Sequence, residues 1–272
     1  MTTAHALLFD VPTPVERLLR LAGHYTRHND MLDLFTAELD VGAAPGDGAH
    51  AASAQQLAYD TRAAITAIRA ERLYASTEMT ETLARLTQLA FLSTASASYD
   101  VRTARDLTAL AADASVDCAA VLAAEMRRRG AKATAPKDRL SAEQRTALTE
   151  IARGHVTISN LFDRERAQSR RQTRVRLSTL RALEKQHLTD RDHSCAPATY
   201  IGGPAQDRVR LTPAGVTALA CVIELPPAPA ATAPAAALRP ASTQAPPRSR
   251  LPERSRPLFY PHLISLPATP TP

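Results

Sequence analysis

Apolar side chains recur along the first half of the chain at three- and four-residue intervals, the period of an α-helix. Leu18, Leu21, Tyr25, Leu32, Phe35 and Leu39 form the first such stripe. TPVE at 13–16 can start that helix, with Thr13 as cap, Pro14 at the first helical position and Glu16 closing a capping box. VGAAPGDGAH at 41–50 interrupts it with three glycines and a proline. Leu57, Ala64, Ile65 and Ile68 mark a second helix, and Met79, Leu83, Leu86 and Ala90 a third. Asp100 can cap a fourth, with Leu107, Leu110, Ala114, Cys118 and Val121 on one side. Each stripe needs a partner, so residues 1–130 predict a helical bundle, a region that would oligomerise or sense a signal.

MRRRGAKATAPKD places Gly130 as a helix stop before a polar, proline-containing link, which predicts a boundary near residues 131–138. Beyond it the pattern changes. SAEQRTALTEIARG (141–154) is a short capped helix with Leu148 and Ile151 inward, and HVTI (155–158) suits one edge strand. A basic segment expected to be helical follows. Next comes RVRLSTLRALEKQHLTD (174–190), with Leu177, Leu180, Leu183 and Leu188 on one side. LTDRDHSCAPATYI and RVRL (208–211) read as the arms of a hairpin turned by GGPAQD (202–207). TPAGVTALACVI closes the region, with Thr212 as cap and Pro213 at the first helical position.

The last 49 residues, 224–272, hold 13 of the 20 prolines amid Ala, Ser and Thr. Such a stretch buries too little apolar area to offset its ordering entropy, and disorder is expected. Within it RPLFYPHLISL (256–266) gathers apolar residues and could be a short docking motif or simply an unstructured end.

Composition and charge change the picture further. Aromatics are 4% of the chain and Trp is absent, so Ala and Leu must do the packing, which favours helices. Three cysteines, Cys118, Cys195 and Cys221, are widely spaced and odd in number, which fits a reducing cytoplasm better than a disulfide framework. No secretory leader and no run long enough for a membrane span is evident in the sequence, and a cytoplasmic location is expected. The net charge of +6 is uneven: −3 over residues 1–136, +6 over 137–223 and +3 over 224–272. That asymmetry points to a polyanion-binding module joined to a differently employed one.

The sequence carries no phosphate-cradling, dinucleotide-binding or zinc-protease motif, and no nucleophile elbow; neither an enzyme nor a cofactor is expected. His187, Asp190, His193 and Cys195 are the one cluster with metal-capable side chains, but they span the expected hairpin without a paired CxxC, and no metal site is expected.

LRALEKQHL, a hairpin and then RVRLTPAG resemble the end of MarR-like winged-helix transcriptional regulators over residues 139–223. That family commonly has glycine where His187 stands, so a different helix end is expected here. The periodicity predicts a mainly α chain with an N-terminal helical bundle and the composition a disordered Pro/Ala-rich tail; over residues 139–223 the resemblance implies a winged helix-turn-helix domain with a small β-hairpin. It implies a homodimer on double-stranded DNA, a nucleoid-associated regulator. The leucine-striped helix would enter the major groove. Arg170, Arg171, Arg174, Arg176, Ser178, Thr179, Arg181 and Lys185 would meet phosphates or base edges there, with Arg208 and Arg210 on the wing. The rival reading of the same residues is a non-enzymatic scaffold that uses the winged helix for protein contacts.

Overall fold

The computed structural model describes residues 12–40, 42, 48–73, 76–130, 140–161, 164–169, 173–198 and 203–225. The segment 226–272, with its expected disorder and its candidate docking motif, lies outside the described residues, as do Arg170, Arg171 and the whole of the proposed link at 131–138.

The chain is mainly helical, with one small antiparallel sheet. Its elements are α1 (Pro14–Asp40), α2 (Ala51–Ala70), α3 (Thr77–Ser96), α4 (Val101–Thr108), α5 (Ala111–Arg128), α6 (Ala142–Ala152), β1 (Val156–Leu161), β2 (Arg164–Ser169), α7 (Leu177–Lys185), β3 (Thr189–Ala196), β4 (Gln206–Leu211) and α8 (Pro213–Val222). The sheet order is β2-β1-β4-β3.

Local chemistry starts the helices where the sequence predicts. Glu16 N donates to Thr13 Oγ1 at 3.2 Å and Thr13 N to Glu16 Oε2 at 2.8 Å, a capping box that satisfies two otherwise orphaned donors. Asp100 accepts from Arg102 N and Thr103 N, Ser141 forms a second capping box with Gln144, and Thr212 accepts from Gly215 N. At the end of α6, Gly154 takes φ +73 while His155 N reaches back to Glu150 O at 3.0 Å, closing the helix in a Schellman turn. A Cβ on Gly154 would also lie 2.5 Å from Thr26 Oγ1 of α1. The end of α7 repeats the turn without glycine. His187 adopts φ +56, its N–H bonds Glu184 O at 2.9 Å, and Leu188 N bonds Leu183 O at 3.0 Å. The helix end expected to differ at His187 therefore keeps the left-handed geometry that glycine usually supplies.

The structure corrects the sequence reading of these elements in three places. The expected fourth helix is two, α4 and α5. Asn29 of α1 donates to Thr108 O at 3.0 Å, taking up that carbonyl where the helix breaks, and Leu110 turns out to solvent at 73% exposure instead of packing inward. The basic segment after HVTI is a strand, β2, not a helix. It pairs with β1 from Val156↔Ser169 to Leu161↔Arg164, so β1 lies inside the sheet instead of at its edge. The stretch Val101–Arg128, which covers both α4 and α5, is long and apolar enough to cross a membrane by length and composition alone, with mean hydropathy 1.6 over its best 18 residues. Half of that window is buried inside the protein, as in the core helix of a bundle.

The described residues fall in one compact unit. α1 runs through its centre: Leu18, Leu19, Leu21, Ala22, Tyr25 and Leu32 are at most 2% exposed. The apolar core is continuous from these residues through Val116 and Leu122 of α5 to Leu148, Leu180, Leu183, Val209 and Leu219. The helical region and the sheet-bearing region, separated at 131–138 in the sequence reading, thus share that core.

Polar pins cross the bundle at Tyr25, whose hydroxyl meets Thr61 Oγ1 at 2.9 Å and Ser93 Oγ at 2.8 Å. Nearby, His28 is 2% exposed, with Nδ1 3.0 Å from Ser53 Oγ and Nε2 unpartnered. Burial, with His50 and Arg105 close by, pushes its pKa from 6.5 down to about 4. The unfolded chain therefore binds a proton between about pH 6.5 and pH 4 that the folded chain refuses. Stability from this residue is full above the unfolded value, falls as pH drops through that window and levels off below it. Urea midpoints at pH 7 and pH 5 should differ more in the wild type than in His28→Gln; equal pH dependence would contradict the burial of His28.

Candidate nucleic-acid interface

α7 is amphipathic in three dimensions as well as in sequence. Leu180 and Leu183 are fully buried against the core, while Ser178, Arg181 and Lys185 are exposed. Thr179 is half-buried, and Arg174 and Arg176 extend the exposed face ahead of the helix. Arg176 occupies the N-cap position with extended backbone and offers no side-chain cap, while its carbonyl accepts from Thr179 N at 3.1 Å. Between the starts of α6 and α7 lies a groove of about 290 Å³, lined by Glu143, Thr146, Arg174, Arg176 and Thr179.

Two carboxylates temper the charge. Arg176 Nη1 is 3.5 Å from Glu143 Oε1, and Arg181 Nη2 is 3.0 Å from Glu165 Oε2 on β2. The side chains of both arginines are more than 60% exposed, so these pairs contribute little stability and can be exchanged for another anion. Glu165 also accepts from Arg191 Nη1 at 2.7 Å, and Arg191 in turn is held bidentately by Glu184. The Arg191 and Arg181 guanidiniums hold Glu165 below the usual carboxylate range. Arg174 and Lys185 have no ion pair among the described residues. Arg174, Arg176, Arg181 and Lys185 against Glu143 and Glu165 leave the face at a net +2.

The structure brings Arg174, Arg176, Ser178, Thr179, Arg181 and Lys185 together. It does not bring Arg208 and Arg210 to them, which corrects the wing assignment. Arg208 is 2% exposed. Its Nε and Nη2 donate to the two oxygens of Asp30 on α1, and its Nη1 donates to Gly154 O at 2.8 Å. Arg210 is 10% exposed, with Nε 2.8 Å from Asp192 Oδ2 and Nη2 3.1 Å from Asp30 Oδ2. Alternation along β4 predicts Val209 and Leu211 inward and the arginines outward, but both faces of the strand are covered, and the arginines meet α1.

The sequence reading missed Glu165, Arg191 and Asp30. Glu165 and Arg191 carry no local signal beyond charge. Asp30 had one: it ends the polar run His28-Asn29-Asp30 inside an apolar stripe, where a buried charge demands a partner.

The metal-capable cluster is dispersed. His193 Nδ1 meets Asp207 Oδ2 at 3.1 Å, Cys195 Sγ lies 3.2 Å from Asp192 O, and among the described residues no group of three or more His, Cys, Asp or Glu side chains is placed to hold a metal ion. Burial raises the pKa of all three thiols, Cys118 to about 11, which leaves them poor nucleophiles.

No family model, no curated protein and no solved structure matches this chain.

Proposed function

We propose that the chain binds double-stranded DNA through the exposed face of α7 and serves as a transcriptional regulator. The observation that carries this reading is the convergence of Arg174, Arg176, Ser178, Thr179, Arg181 and Lys185 on one solvent face, backed by the fully buried Leu180 and Leu183. A helix so presented matches the width of the major groove, and arginine offers paired donors to guanine or phosphate. The order α6, β1, α7, β3, β4, α8 and the neighbouring strands β1-β4-β3 support a winged-helix reading. β2 stands where such a domain carries the first helix of its helix-turn-helix, so the proposed module is a variant of that plan. With Arg208 and Arg210 internal, DNA contact falls to α7 and its approach segment.

A homodimer is part of the proposal, because paired half-sites multiply affinity. Tyr59 of α2 and Phe91 of α3, 67% and 69% exposed, lie on helices bridged by Arg62 Nη2 to Thr94 Oγ1 at 2.9 Å. They offer apolar surface for a second copy. The same two aromatics favour the rival, a scaffold that binds other proteins.

Sequencing of DNA recovered with the purified chain from cells tests the proposal. A shared motif is expected, bound as two protomers per duplex. At that motif Arg181→Ala should cost about 1–3 kcal/mol and relax preference at one position. Leu180→Ala belongs apart, since it acts by unfolding α7. Recovery of no DNA above background, with α2–α3 partners recovered instead, favours the scaffold.

A further inference from the structure

His155 follows Gly154 at the end of α6 and is 7% exposed. Its ring lies between two carboxylates. Nδ1 is 3.0 Å from Glu150 Oε2 on α6, and Nε2 is 3.1 Å from Asp113 Oδ2 on α5. The other oxygen of Asp113 accepts from Arg153 Nη1 at 2.9 Å, and Arg153 Nη2 donates to Asp117 Oδ1 at 2.6 Å. The helical region and the sheet-bearing region therefore meet at this cluster as well as at Asp30.

The hydrogens of the cluster can be counted. An ionised carboxylate only accepts hydrogen bonds, and a neutral imidazole has a single N–H to give. In that state one ring nitrogen is satisfied and the other sets its lone pair against a carboxylate oxygen. Both contacts are hydrogen bonds only when Glu150, His155 and Asp113 together hold one further proton, which belongs to the coupled trio. The charges around it favour that proton. From α5 and α6, the carboxylates of Asp113, Asp117 and Glu150 face the one guanidinium of Arg153, leaving two negative charges. From β4, Arg208 donates to Gly154 O and lines a small cleft with His155, but its charge is met by Asp30 of α1. Arg145 and Glu224, of opposite sign, border the surface cleft beside Glu150.

We propose that Glu150, His155 and Asp113 form a proton-dependent latch between α5 and the junction of α6 with β1. With the proton bound, the ring ties both carboxylates and so both regions. Without it, one buried contact turns repulsive and the junction loosens. Folding is thereby linked to proton uptake. The unfolded chain has no trio to complete, so raising the pH removes stability that is present at lower pH. The sign is opposite to that of His28, whose contribution is lost as the pH falls. The latch does not depend on the DNA-binding reading, and its test uses no nucleic acid.

The test compares urea midpoints of the full chain at pH 6 and pH 9 for the wild type and Asp113→Asn. Asparagine is nearly isosteric here. Its oxygen can still accept from Arg153 Nη1 and its amide can donate to His155 Nε2, so the contacts close without the further proton. Every other titrating group is common to the two proteins and cancels in the comparison. From pH 6 to pH 9 the wild-type midpoint should fall by roughly 0.5 M more than that of Asp113→Asn, the equivalent of a tenfold change in proton affinity. If Asp113→Asn folds poorly, His155→Gln takes its place. Its amide meets the two carboxylates in the same way at every pH, so it too should show the shallower fall. Falls that agree within error between the wild type and the folded variant overturn the proposal, as does a smaller fall in the wild type.

Discussion

Asp30→Ala is expected to cost about 3–5 kcal/mol of folding stability. The carboxylate sits in α1 with its two oxygens on Arg208, and Arg210 shares one of them. Removing it leaves two buried guanidiniums short of an acceptor in a region of low dielectric. Arg208 keeps only Gly154 O, and Arg210 keeps Asp192. The apolar double replacement Asp30→Leu with Arg208→Met should recover a large part of the loss, because the desolvation cost of the pair disappears with its charges. Recovery stays partial while Arg210 remains. Urea titrations of the three proteins measure this. A cost under about 1 kcal/mol for Asp30→Ala would mean that α1 and β4 are not joined through this pair. The consequence reaches beyond one residue. Asp30 belongs to the helical region and Arg208 to the segment 139–223, on the other side of the boundary expected from sequence at 131–138. Excised, that segment would lose α1 from the back of β4, so it should be markedly less stable than the intact chain.

Gly215→Ala should destabilise the chain by more than about 3 kcal/mol, beyond the ordinary range for overpacking. A Cβ built on Gly215 lies 1.9 Å from the carbonyl oxygen of Leu188 and 2.9 Å from its carbon. Those are backbone atoms and cannot rotate away. They are also tied down: Leu188 O accepts from Thr212 N at 3.1 Å, and Thr212 Oγ1 donates to His187 O at 2.6 Å. Accommodating one methyl group means separating the start of α8 from the end of α7. Because α7 is the proposed DNA-binding helix, nucleic-acid affinity should fall with stability in this variant. Thermal melting with circular dichroism reads the effect; a melting temperature within a degree or two of wild type would contradict the close approach.

What the sequence made legible was local. The starts of α1, α4, α6 and α8 depend on residues within four positions of one another, Thr13 with Glu16 or Ser141 with Gln144, and those pairs are visible in the string. The leucine face of α7 was equally visible, since Leu180 and Leu183 need only the helical period to fall together. Apart from the end of α7, where His187 takes the left-handed geometry of a glycine, the misreadings were non-local. Nothing in RERAQS announces a strand; it becomes one by pairing along β1, with Ala167 the only apolar side chain it contributes to the core. The break before Leu110 depends on an amide from α1, 79 residues away. Arg208 reads as an outward residue of an alternating strand until α1 is known to lie across it. Of the expected DNA-contacting set, the residues on one helix stayed together, and the two assigned by analogy to a wing did not.

The most direct measurement of the DNA-binding proposal is fluorescence anisotropy of a labelled duplex titrated with the full chain at two salt concentrations. Each phosphate neutralised by α7 and its approach segment releases counterions, so affinity should fall steeply as salt rises. Arg174→Ala and Lys185→Ala, both exposed, should weaken binding to every sequence and flatten the salt dependence. Glu165→Gln should act oppositely, removing a carboxylate that competes for Arg181 and freeing that guanidinium for the duplex. Circular dichroism confirms that each variant is folded. Salt-sensitive binding in the wild type, lowered by the two cation deletions and raised by Glu165→Gln, is the predicted result. No salt-sensitive binding, or the same affinity in folded Arg174→Ala, Lys185→Ala and wild type, would contradict it.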